Sequence, residues 1–199
     1  MFILKFDYPT HHQFSPPHTQ IMNPPNTLFR SSTDPSTFHT AVWGRVFNHR
    51  RDTSRIPFAV CKPRTVEEVI AAVNLAIKHN CRVSVRSGGH SWAAWSVRHD
   101  AVLVDLCDLD SGDCESSTSD ELFKSAVGDG QARQGRMDYD EGTKIVSCPP
   151  ATTGRMLNGF LAKVGRMFAG GHCPDVGMGG FLLQGGMGWN CKVGDYPPS

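Results

Sequence analysis

Two short stretches concentrate the residue types that do covalent and anion-binding chemistry. The first is VSVRSGGHSWAAWS, residues 83–96. A β-branched run ends at Arg86, and Ser87, Gly88, Gly89, His90 and Ser91 follow. Successive backbone N–H groups in a glycine-containing turn can point into one concavity, a nest for anionic oxygens. Gly88 and Gly89 permit positive φ and let a phosphate come close; Ser87 and Ser91 add hydroxyl donors. The stretch has the physics of a pyrophosphate cradle. It is not the dinucleotide fingerprint, because no G-x-G-x-x-G opens a helix here, and GMGG at 177–180 does not fit either. A tight turn with an exposed His accounts for the same six residues equally well.

The second stretch is GGHCPDVGMGGFLLQGGMGWN, residues 170–190. It sets one cysteine, Cys173, in glycine-rich backbone, and such a path lets a main chain lie flat against a large planar ligand. Cys173 would become reactive there if the neighbouring amides and the adjacent His172 favoured a thiolate. A buried structural cysteine is the competing explanation.

These stretches need elements to hold them. TVEEVIAAVNLAIKHN (65–80) is the cleanest helix, with Thr65 and Glu68 as a capping box. Val66, Val69, Ile70, Val73, Ala76 and Ile77 form one apolar face, and Asn80 ends it in the left-handed conformation. FAVCKP (58–63) and RVSVR (82–86) read as flanking strands, making a βαβ unit, and AVLVDL (101–106) as a further strand. TKIVSCPP (143–150) is a strand and TTGRMLNGFLAKVG (152–165) a helix stopped by Gly165. In 166–190 the glycines are too dense for a helix or a regular sheet. Residues 1–37 are polar, His- and Pro-rich and read as a flexible arm rather than as a metal site built on His11, His12 and His18. Residues 108–138 read as an irregular insertion.

Composition narrows the function. The 199 residues are 39% hydrophobic and 20% charged, with a net charge of +1, and fit a globular protein. Lys and Arg are not clustered, so no nucleic-acid partner is expected. No stretch is long or apolar enough to span a bilayer, so no membrane partner is expected either. MFILKFDYPTHHQ lacks a signal-peptide pattern, which leaves the compartment open. The seven cysteines show no CxxC pair, which argues against structural zinc or any other metal. Their odd number leaves at least one without an intrachain partner.

Taken together, VRSGGHS and, some distance on, GHCPDVGMGGFLLQGGMGWN resemble the flavin-binding domain of berberine-bridge-enzyme-like oxidoreductases, in the vanillyl-alcohol-oxidase and p-cresol-methylhydroxylase superfamily. The likeness runs from about residue 43 to 192. It includes WGRVFNHRRDTSRIPFAVCKPRTVEEV and PATTGRMLNGFLAKVG. It implies an α+β fold of the p-cresol-methylhydroxylase type, built as two small α/β subdomains and C-terminally incomplete. The first would span 38–107 and the second begin at 139–199.

The same resemblance implies FAD, bonded through His90 to the 8α-methyl and through Cys173 to C6 of the ring. A neutral imidazole and a thiolate are suitable nucleophiles for those electrophilic carbons. By the same carry-over Arg86, Ser87, Gly88, Gly89, His90 and Ser91 surround the pyrophosphate. Val176, Gly177, Gly179, Gly180, Gly185, Gly186 and Gly188 run along the cofactor. Val176 takes the place where a small residue admits oxygen to the flavin. Trp92, Trp95 and Trp189 read as packing residues.

The resemblance implies an oxidase that moves a hydride from a substrate carbon to flavin N5, with a small-molecule substrate and molecular oxygen as partners. The catalytic base would come from beyond this stretch, so no catalytic residue is assigned, and Asp175 and Tyr139 are not promoted to that role. The alternatives are a truncated, non-catalytic flavin-binding fragment, and a cysteine hydrolase using Cys173 with His172 or His90. Residues 108–138 are foreign to the family pattern, and a retained intron or faulty gene model would explain them together with the abrupt YPPS end. Transcript sequencing checks this: a spliced message that keeps 108–138 and stops after Ser199 rules the artefact out.

Overall fold

The computed structural model describes residues 23–109 and 137–188. Six strands, four α-helices and a short 3-10 helix (Leu106–Asp108) account for its regular structure among the described residues: β1 (Thr27–Phe29), α1 (Pro35–Trp43), β2 (Ala59–Cys61), α2 (Val66–Lys78), β3 (Val83–Arg86), β4 (Val102–Asp105), β5 (Asp138–Asp140), β6 (Ile145–Ser147), α3 (Gly154–Ala162) and α4 (Met178–Leu183). The first four strands form a sheet in the order β1-β2-β4-β3, in which β2, β4 and β3 are parallel and β1 runs antiparallel at one edge.

β4 explains the sheet's layering. All four of its residues are buried, because it lies centrally with helices on both faces. Val102 and Val104 pack with Ala72, Leu75 and Ala76 of α2. Leu103 packs on the other face with Phe38, Val42 and Trp43 of α1, and with Ala94 and Val97. The β2–α2–β3 unit expected from sequence is present, with β4 inserted between its two strands. The carboxyl ends of the three parallel strands share one edge, the usual ligand-binding edge of such sheets, and Ser87–Ser91 leaves from the end of β3.

Local chemistry sets the helix boundaries. Thr65 accepts a hydrogen bond from the Glu68 amide at 3.3 Å. Glu68 reaches back to the Arg64 amide at 2.7 Å, one residue earlier than in a standard capping box. Asn80 takes φ +50° after the last turn. Asp34 caps α1 by accepting from the Thr37 amide, with Pro35 opening the helix.

The structure departs from the sequence reading in four places. Regular structure begins earlier than the expected arm allows, since β1, which lies within 1–37, pairs with β2. The buried side of α2 is Ala72, Leu75 and Ala76, while Val66, Val73 and Ile77 of the expected face are exposed. In β3 Arg86, expected beside a pyrophosphate, points inward with Ser84, and Val83 and Val85 point outward. Finally, the glycine-rich segment does form a helix, α4. Gly179 in it leaves no room for a side chain, because a Cβ there would lie 2.8 Å from the Pro150 carbonyl oxygen. Tertiary packing at that contact outweighs glycine's poor helix propensity. β5 and β6 pair as a hairpin, and a second core of Val146, Cys148, Leu157, Leu161 and Met178 joins them to α3 and α4.

Thr65→Ala removes the cap acceptor of α2. It is expected to lower stability by about 1 kcal/mol in urea unfolding, with Thr65→Ser close to the parent.

Candidate functional site

The two chemically loaded stretches meet through their glycines. A Cβ on Gly88 would lie 2.7 Å from the Cα of Gly177, and one on Gly177 would lie 2.6 Å from the Gly88 nitrogen. Only two glycines allow main chains this close. Gly89 has φ +73°, and a Cβ there would overlap the Arg45 carbonyl oxygen. Gly88 and Gly89 are thus required by contacts within the protein, whatever a phosphate also asks of them. Ser87 donates its hydroxyl to Pro150 O at 2.6 Å and closes the same junction.

This junction brings His90 Nε2 to 3.2 Å from Cys173 Sγ, across 83 residues of sequence. The Phe47 ring stacks on the imidazole, with centroids 4.1 Å apart and planes 15° apart. The Phe47 amide also donates to Gly89 O at 2.9 Å. Asn48 donates to Trp92 O at 2.5 Å, and Arg55 to Ala93 O and Ala94 O at 3.0 and 3.2 Å. Residues 45–55 therefore brace the whole 87–97 loop.

On the Cys173 side the brace is 150–155. Arg155 pairs with Asp175 at 2.9 Å, and its amide donates to Pro174 O at 2.7 Å. Gly154 N donates to Val176 O, Met178 N to Thr152 O and Gly179 N to Pro150 O. Asn158 fixes Phe168 through both its amide N–H and its carbonyl.

Arg86 needs correction as a pyrophosphate contact. Its side chain is fully buried, and its guanidinium donates to Ala41 O at 2.7 Å, to Val42 O and to Asp105 at 2.6 Å. It anchors the floor of the loop and does not reach a ligand above it. Arg45 pairs with the other Asp105 oxygen and donates to Ser87 O at 2.9 Å. The buried Asp105 thus links β4, the end of β3 and the segment after α1. Trp92 and Trp95 also differ from expectation. They are 79% and 61% exposed, with Trp92 edge-on to Phe47, and are not core packing. Trp189 lies outside the described residues.

The geometry fits a flavin nucleotide. Among the described residues nothing accepts a hydrogen bond from the amides of Gly89, His90 and Ser91, in the loop expected to cradle a pyrophosphate. Gly180 and Gly185 border open space, whereas Gly186 and Gly188 are packed against Phe181 and Ala169. Val176 is half-buried beside Gly171. The other described thiols are poor nucleophiles: burial pushes up Cys61, Cys81 and Cys148, and burial with Asp105 pushes Cys107 up to about 12. No group of three metal-ligating side chains occurs among the described residues. No described helix is long and apolar enough to cross a membrane.

Comparison with known proteins agrees with this fit. The model of the FAD binding domain matches residues 57–121. The FAD-linked oxidoreductase penO of Penicillium crustosum is 37% identical over 83% of this chain and 30% of its own length. The chain resembles FAD-linked oxidoreductases over most of its length and matches the FAD binding domain over residues 57–121. Xylooligosaccharide oxidase of Thermothelomyces thermophilus is 31% identical over 67% of this chain and 22% of its own. A berberine bridge enzyme variant in complex with (S)-reticuline superposes with a TM-score of 0.62 at 22% identity, over 83% of this chain and 29% of that one. That likeness shows the fold, an FAD-binding domain of the p-cresol-methylhydroxylase type. The chain spans about 30% of the length of curated relatives such as penO and janO.

Sequence reasoning missed Phe47, Arg45, Asp105 and Asn158. The first two lie in an aperiodic polar stretch, and Asp105 ends an otherwise apolar strand. A lone acid closing an apolar strand was a usable signal, because a buried charge demands a partner.

Burial alone would raise the Asp105 carboxyl, but Arg86 and then Arg45 outweigh it and hold it far below the ordinary carboxylate value. Such a group stabilises fully above its unfolded pKa of about 4, and the contribution is lost as pH falls below that toward the depressed folded value. Asp105→Asn is expected to cost about 3–5 kcal/mol at neutral pH. It should also flatten the loss of stability on the acid side of about pH 4, both read from urea melts across pH.

Proposed function

We propose that this chain is the flavin-holding part of an FAD-dependent oxidase in which His90 and Cys173 both bond to the cofactor. The observation that carries the reading is the 3.2 Å approach of His90 Nε2 to Cys173 Sγ. Nothing in composition requires two residues so distant in sequence to meet, and two nucleophiles on one ring edge do require it. The loop amides of 89–91 would hold the pyrophosphate, and Val176, Gly180 and Gly185 would face the ring system.

When bound, FAD supplies the redox chemistry: it takes a hydride from a substrate carbon at N5 and passes the electrons to molecular oxygen. The protein's share is to bind, orient and tune. The substrate is a small molecule of the alcohol, sugar or alkaloid-like amine class. A cysteine hydrolase is disfavoured, because no described carboxylate or amide side chain hydrogen-bonds to His90 to orient it. A flavin carrier without turnover shares the same first step and differs only in releasing no hydrogen peroxide with substrate.

The chain purified with FAD is expected to stay yellow after acid denaturation and washing. Tryptic mass spectrometry should find one FAD-linked species joining the His90 and Cys173 peptides. His90→Ala and Cys173→Ala should each leave a single tether, and the double variant none. A colourless denatured protein would overturn the reading.

A further inference from the structure

We infer that Phe47 is the positioning residue for attachment at His90, acting through the imidazole and not on the cofactor. This rests on the covalent reading above. Phe47 holds the loop at two adjacent points. Its ring lies almost parallel on the imidazole, and its amide holds the Gly89 carbonyl, one residue before His90. Stacking restricts rotation about the last side-chain torsion, a broad and otherwise weakly determined angle. It covers one face of the imidazole and leaves the in-plane nitrogens as the reactive positions. The Nε2 side then points at Cys173 Sγ, toward the partner that must share the same ligand edge.

No other described side chain does this. Among the described residues the ring contact of His90 is Phe47 and its side-chain polar contact is Cys173. Phe47 is itself 45% exposed, with Trp92 edge-on to it at 5.7 Å. A large apolar ring held half in solvent beside a candidate nucleophile contributes little to the core and much to the orientation of its neighbour. Cys173 is held differently, its segment fixed by backbone bonds from 150–155. The two attachments therefore depend on separate supports.

The bond-forming step balances as follows. An imidazole nitrogen bonds to the 8α-carbon of FAD; one 8α hydrogen and the imidazole N–H hydrogen leave as protons. The electron pair and both protons stay on the flavin, which is thereby reduced, and molecular oxygen reoxidises it, leaving as hydrogen peroxide.

The test uses the full chain incubated with FAD in air, following each tether by peptide mass spectrometry. Phe47→Tyr keeps the ring, and Phe47→Leu keeps apolar bulk without a flat face. We expect Tyr to attach at His90 within about twofold of the parent and Leu to be slowed about tenfold or more, since small misplacements of a reacting group cost rate steeply. Attachment at Cys173 should be unchanged in both. Parent-like attachment of the Leu variant at His90 would overturn the proposal while sparing the covalent reading. Equal slowing at both residues would do the same, because it would mark a general folding or binding role. Absence of any His90 adduct in the parent chain would overturn the covalent reading, and this proposal with it.

Discussion

The site depends on one contact, the backbone crossing of Gly88 and Gly177. At 2.6–2.7 Å for a virtual Cβ, no side chain fits on either residue. The crossing joins the loop after β3 to the turn before α4, hence one core to the other. His90 stands two residues beyond Gly88, and Cys173 four residues before Gly177. Their meeting follows from the crossing and the short reach of the chain between. Substituting either glycine would displace both nucleophiles from each other before it touched any ligand contact.

A second constraint lies beneath. Asp105, Arg86 and Arg45 form a buried ionic cluster, and Arg86 also ties off the last carbonyls of α1. Buried ion pairs add little net stability against well-packed apolar residues, yet removing one partner is costly. The value of the cluster is geometric: it fixes where β3 ends and therefore where the Ser87–Ser91 loop starts. Through Ser87 O and the overlying Phe47–Gly89 bond, the segment after α1 has a hold on both sides of the loop.

Much of this was legible in the residues. The strands 58–63, 82–86 and 101–106, the helix at 65–80 with its Thr65 cap, and the helix before the second motif follow from period and capping chemistry, and all are present. His90 and Cys173 stood out because a nucleophile flanked by glycines is unusual. What stayed hidden depends on neighbours distant in sequence. Arg86 was expected at the pyrophosphate because the family resemblance carried the whole loop there, and only the pleat of β3 shows it facing inward. The exposed side of α2 looked like core because its apolar period is genuine; Ala72 and Leu75 pack because β4 lies beneath them. α4 defied its glycines because Pro150 demands a close approach. Phe47 had no signal at all, since stacking between two loops has no sequence period.

The outward-facing valines of β3 matter beyond the site. β3 closes the described sheet on one side, with Val83 and Val85 turned to solvent on the face where β4 carries Val102 and Val104 under α2. An open border of this kind offers both backbone hydrogen-bonding groups and greasy side chains to any other polypeptide. The exposed Val73 and Ile77 on α2 add to it. Among the described residues this border is apolar, and a charged residue in place of Val85 would make it less so.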